Sequence, residues 1–171
     1  MHPPLHPDCE PLAFLLGTWR GEGDGWWPTA EPFRYGEEIL FEHVGDPFLM
    51  YSQRSWLLRD GSPLHLERGF FRPAGEGRLE VVLAHPLGIV EVAEGSVSGS
   101  VVEVASTSVT VTSTGSPVTE LRRRMEATDG ALTYELHMAT PDVALTRHLS
   151  GRLARVSGQT GAAWSSGERR A

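Results

Sequence analysis

Four histidines, His43, His65, His85 and His148, are the side chains of this sequence best suited to chemistry. A neutral imidazole can ligate a metal, and near neutral pH the ring can also carry a proton or polarise an anion. No two of the four stand two residues apart, so they do not read as a compact zinc site. Cys9 is the single cysteine, which excludes an internal disulfide and a thiolate-based metal centre. Glu37 and Glu38, with Glu120, are the only hint of paired hydrolytic carboxylates. Adjacent residues of a strand face opposite sides, so Glu37 and Glu38 cannot act as a pair. The chain has no GxSxG elbow, no Walker loop and no dinucleotide fingerprint in a strand–helix context.

The elements that must position these histidines are strands. No long amphipathic helix is legible between Gly17 and Val156. β-rich segments fall at 18–23, 34–43, 48–58, 64–72, 78–85, 88–97, 100–105, 108–113, 118–127, 131–139 and 145–156. They are separated by turn signals such as Asp60-Gly61, Pro86 to Gly88 and Asp129-Gly130. Many short strands joined by tight turns predict an all-β fold, and closure into a barrel leaves no exposed edge. Residues 11–16 read as one short helical turn that Gly17 stops. The expected organisation is a Pro-rich N-terminal extension over 1–11, a barrel over 12–156 and a disordered tail over 157–171. Alternation puts Leu132, Tyr134, Leu136 and Met138 on one face, and His85 at the end of the apolar row Leu79, Val81, Leu83.

Gly17, Trp19, Gly21 and Gly23 form a GxWxGxG motif, which suits the first strand of a calycin-like barrel with the Trp plugging one end. The motif sits within a longer ordered set: Phe14 to Trp19, Pro28-Thr29, Tyr35 to Glu38, His43 to Gly45, Arg54 to Trp56, Leu64 to Arg72, Ala84 to Val92, Tyr134-Glu135, Met138 to Thr140 and His148-Leu149. Over residues 12–155 the chain resembles the nitrobindin family. The resemblance implies a ten-stranded antiparallel β-barrel holding one heme b per subunit at its open end. It implies that His148 is the proximal iron ligand and that Thr29, Met138, His65 and His85 line or approach the heme. It further implies binding of nitric oxide and isomerisation of peroxynitrite to nitrate at ferric heme, and it is compatible with a homodimer. Where the family carries Ala-Lys, this chain has Gly115-Ser116-Pro117. Any lysine contact to a heme propionate is therefore absent, with Arg122 or Arg124 as candidate substitutes.

Taken without the resemblance, each site residue has a plainer reading. His148 shares a strand face with Ala144, Thr146, Ser150 and Arg152, opposite Leu145, Leu149 and Leu153. If the Leu face is the core, His148 points outward. Either small residues leave room for a macrocycle while other structure covers the Leu row, or a bulge shifts the register. His65 and His85 read equally as distal hydrogen-bonding groups or as structural histidines with backbone partners. Met138 reads as core, and Thr29 as turn chemistry.

A net charge of −7 gives no electrostatic case for nucleic acid. No apolar run reaches membrane-spanning length and no signal-peptide pattern is present, so a cytoplasmic protein without a membrane partner is expected. The leading expectation is a heme-dependent peroxynitrite isomerase. A non-catalytic nitric oxide or heme sensor is the first alternative, and a metal-free carrier of hydrophobic ligands the second.

Overall fold

The computed structural model describes residues 3–156, so the tail expected over 157–171 lies outside the described residues. Ten strands follow a short 3₁₀ helix at Pro7–Leu15: β1 Gly17–Trp27, β2 Ala30–Glu42, β3 Leu49–Leu57, β4 Pro63–Pro73, β5 Arg78–His85, β6 Ile89–Ser98, β7 Val101–Val111, β8 Glu120–Thr128, β9 Ala131–Thr140 and β10 Val143–Arg155. Each strand pairs antiparallel with the next, and β1 pairs with β10 to close the barrel. The expected segments at 100–105 and 108–113 are one strand. Thr107 is an extra residue opposite the Val92–Ala93 step of β6, so the apparent break is a bulge. Beyond Ala105, β7 leaves β8, and the segment between them reaches the mouth of the barrel.

The helix begins at Pro7 rather than at residue 11. His6 caps it, its Nδ1 accepting the Asp8 amide at 3.2 Å. Three residues per turn stack Cys9, Leu12 and Leu15 on one face, and all three are completely buried. They close one end of the barrel together with Trp19, whose indole N–H donates to the Leu15 carbonyl at 2.7 Å. Arg155 lies over the Trp19 ring and donates to the Phe14 and Leu16 carbonyls, strapping the helix to β10.

The GxWxGxG glycines have steric causes. Gly17 turns the chain into β1 at a φ of +104°, and a Cβ on Gly21 would strike the Arg152 carbonyl across the sheet. Gly23 leaves room for the inward Tyr35 ring.

Candidate functional site

The end away from the helix is open, and a pocket of about 350 Å³ occupies it. Its walls are mostly apolar: Trp27, Phe33, Ile89, Leu121, Leu136 and Leu149 contribute, closed on one side by Ser116, Pro117 and Val118. Met138 lines it, from the inward face that alternation assigns to β9. His65, His85 and His148 line it as well. Thr29 does not: it is exposed in the turn between β1 and β2, two residues beyond Trp27.

His148 reaches the pocket because the ladder is broken there. Arg147 pairs with His137 and Leu149 with Leu136, which leaves His148 as the extra residue of a bulge in β10. A bulge puts two successive side chains on one side, and both His148 and Leu149 line the pocket. The parity conflict between His148 and the Leu row is thereby resolved, with Leu153 buried in the core beyond the bulge. Other irregularities lie around the same rim: Leu64 is an extra residue of β4, and β2 bulges before Phe33 near Pro32, which lacks an N–H.

The His148 ring is oriented. Its Nδ1 lies 2.8 Å from the Trp26 carbonyl oxygen. A carbonyl only accepts, so Nδ1 carries the proton and the neutral ring keeps a lone pair on Nε2. Burial pushes the His148 pKa down, only partly offset by that hydrogen bond, and a positive His65 would lower it further. The ring edges of Trp27 and Phe33 hold it at centroid distances of 5.3 and 6.5 Å. A neutral, oriented imidazole with one nitrogen bonded to a backbone carbonyl is the form that ligates heme iron. An apolar pocket beside it suits a flat hydrophobic macrocycle, so the donor set and the walls both fit heme.

Beneath the pocket lies a polar layer that no motif in the sequence announces. Glu37, Gln53, Glu67, Glu91 and Arg123 all point inward and are buried. Arg123 Nη2 donates to Glu67 Oε2 at 3.1 Å and to Glu91 Oε2 at 2.8 Å, and Tyr51 donates to Glu67 Oε1 at 2.7 Å. Burial pushes the Glu67 carboxyl up, but Arg123, with His65 and His85, holds it well below the usual carboxylate range. His85 sits against this pair, Nδ1 3.2 Å from Glu67 and Nε2 3.5 Å from Glu91, and His65 adjoins it. The flanking Arg122 and Arg124 point outward to Glu120, Glu103 and Glu126. Neither lines the pocket, so nothing in their placement marks them as substitutes for the family lysine.

Glu37 supplies a pH-dependent element. It faces inward while Glu38 faces out to Arg54, the split that strand alternation requires. Burial raises the Glu37 carboxyl to about 7, against partial relief from Gln53 and Tyr134. Below the ordinary value of 4.5 both folded and unfolded chains bind this proton. As pH rises toward 7 only the folded chain keeps it, so its stabilisation is lost across that window. The whole swing is about 3 kcal/mol. Denaturant unfolding from pH 4.5 to 8 is expected to show Glu37→Gln gaining stability relative to wild type as pH rises. A constant difference would place Glu37 outside this titration.

The sequence profile of the THAP4-like, heme-binding beta-barrel domain matches residues 8–155. A protein of Mycobacterium marinum named peroxynitrite isomerase 2 is 46% identical over 157 residues, covering 90% of this chain and 98% of that protein. An Arabidopsis thaliana protein named peroxynitrite isomerase Rv2717c is 44% identical, covering 90% of this chain and 92% of its own. The crystal structure of Rv2717c from M. tuberculosis superposes with a TM-score of 0.84 at 40% identity, over 90% of this chain and 99% of that one. The closed ten-strand barrel, the open apolar pocket and these matches have one conclusion: the chain belongs to the THAP4-like heme-binding β-barrel family.

Proposed function

We propose that this chain binds heme b in its open pocket through His148 and isomerises peroxynitrite to nitrate. The observation that supports the reading is the His148 geometry, with Nδ1 tied to the Trp26 carbonyl and an unprotonated Nε2 beside an apolar cavity. Heme held by His148 would supply an iron centre able to bind a small ligand such as peroxynitrite or nitric oxide. The apolar walls, Met138 among them, would exclude water from the ring. His65 and His85 line the pocket from β4 and β5 and, when their nitrogens hold no metal ion, are its candidates for polarising a bound anion. Peroxynitrite and nitrate contain the same atoms and charge, so the conversion needs no electron donor.

The test is stopped-flow decay of peroxynitrite with the hemin-loaded protein, with nitrate yield measured at the end. Decay is expected to accelerate in proportion to loaded protein, with nitrate as the enriched product. Tight nitric oxide binding without such acceleration would favour the non-catalytic sensor.

A homodimer accords with the outer face of β4–β6, where Phe70, Val82 and Val92 lie in one cross-strand row beside exposed Leu66 and Val90. Among the described residues no helix is long and apolar enough to cross a membrane. The cytoplasmic placement accords with one free, buried cysteine.

A further inference from the structure

On the wall opposite His148, three ligand atoms converge. His65 Nε2 lies 3.2 Å from His85 Nδ1, His85 Nδ1 lies 3.2 Å from Glu67 Oε2, and His65 Nε2 lies 3.5 Å from Glu67 Oε2. No arrangement of protons makes all three edges hydrogen bonds. Glu67, ion-paired with Arg123, only accepts. A bare imidazole nitrogen faces the carboxylate acceptor to acceptor, and two protonated nitrogens face each other donor to donor. A cation at the centre satisfies all three edges. Donors about 2.0–2.1 Å from a tetrahedral zinc ion stand about 3.3 Å apart, which is the spacing seen.

We propose that His65, Glu67 and His85 form a binding site for a divalent transition-metal ion of the zinc class. His65 and Glu67 are two apart on β4 and so share its inner face, and His85 ends the neighbouring strand. Supporting contacts are in place. Tyr51 and Arg123 donate to Glu67, while His85 Nε2 has no hydrogen bond among the described residues and faces Glu91 Oε2 at 3.5 Å. A carboxylate behind a ligating histidine fixes its ring and raises its basicity. Glu67 and Glu91 exceed Arg123 by one negative charge, which draws further positive charge to the cluster. Both histidines also line the large pocket, so the fourth position opens there and suits the oxygen of a small anion. β5 and β10 stand five places apart in the ten-strand ring, which puts this site across the barrel from His148. The site does not depend on heme.

The experiment is calorimetric titration of zinc(II) into chelator-treated, heme-free protein, with cobalt(II) as a spectroscopic probe. One equivalent is expected to bind, and cobalt is expected to give the visible d–d absorption of a four-coordinate ion. His65→Ala is expected to weaken zinc binding by about 10–100-fold or more, whereas His148→Ala keeps it. Absence of stoichiometric binding, or binding that His148→Ala removes and His65→Ala does not, overturns the proposal. The cobalt spectrum of the wild type tests the site even if the His65 variant fails to fold, since a spectrum that stays that of aqueous cobalt overturns the proposal by itself.

Discussion

Replacing His148 with Ala is expected to lower hemin affinity by about 100-fold or more, since removing even a supporting partner of a metal ligand costs about 10–100-fold. The substitution removes the imidazole that the Trp26 carbonyl orients in the pocket wall. It leaves a gap in a bulge rather than in the packed core, because His148 is only half-buried. The fold is therefore expected to persist, and acceleration of peroxynitrite decay to disappear with the heme. Added free imidazole is expected to restore part of the hemin binding by filling that gap. Competition for hemin measures the affinity, and an unchanged value would assign the iron ligand elsewhere.

Replacing Arg123 with Met is expected to cost about 3–5 kcal/mol, because it strands two buried carboxylates without their cation. For a domain of this size that corresponds to a drop of about 10 °C in Tm. The Arg123 guanidinium bridges Glu67 and Glu91. Replacing all three residues with apolar side chains of similar volume is expected to recover much of the loss. A single-variant Tm within a degree of wild type would mean that the cluster contributes little to folding.

Most of the barrel was legible in alternation and turn residues. Leu132, Tyr134, Leu136 and Met138 share the inner face of β9 as alternation requires, and Asp129-Gly130 turns β8 into β9. His148 was the exception, since period-2 parity assigns it outward and only a bulge reverses it. Nothing local in Arg147-His148-Leu149 signals an extra residue. The polar layer was within reach of the same parity. Arg123 lies between inward Leu121 and Met125, and Glu91 between inward Ile89 and Ala93. The triple-Arg run reads as surface until alternation is applied to its middle member. Glu67 stands two residues from His65, but its meeting with His85 depends on β4–β5 register, which spacing along the chain does not encode. Thr29 came from resemblance alone, and the structure puts it in an exposed turn outside the pocket walls.

Hemin titration of the wild-type protein, followed by absorption, tests most directly whether the open end of this barrel holds a heme. One equivalent is expected to saturate a Soret band distinct from that of free hemin. A spectrum that stays that of free hemin, with no saturation at one equivalent, would contradict the heme assignment and leave the pocket as a site for other apolar ligands.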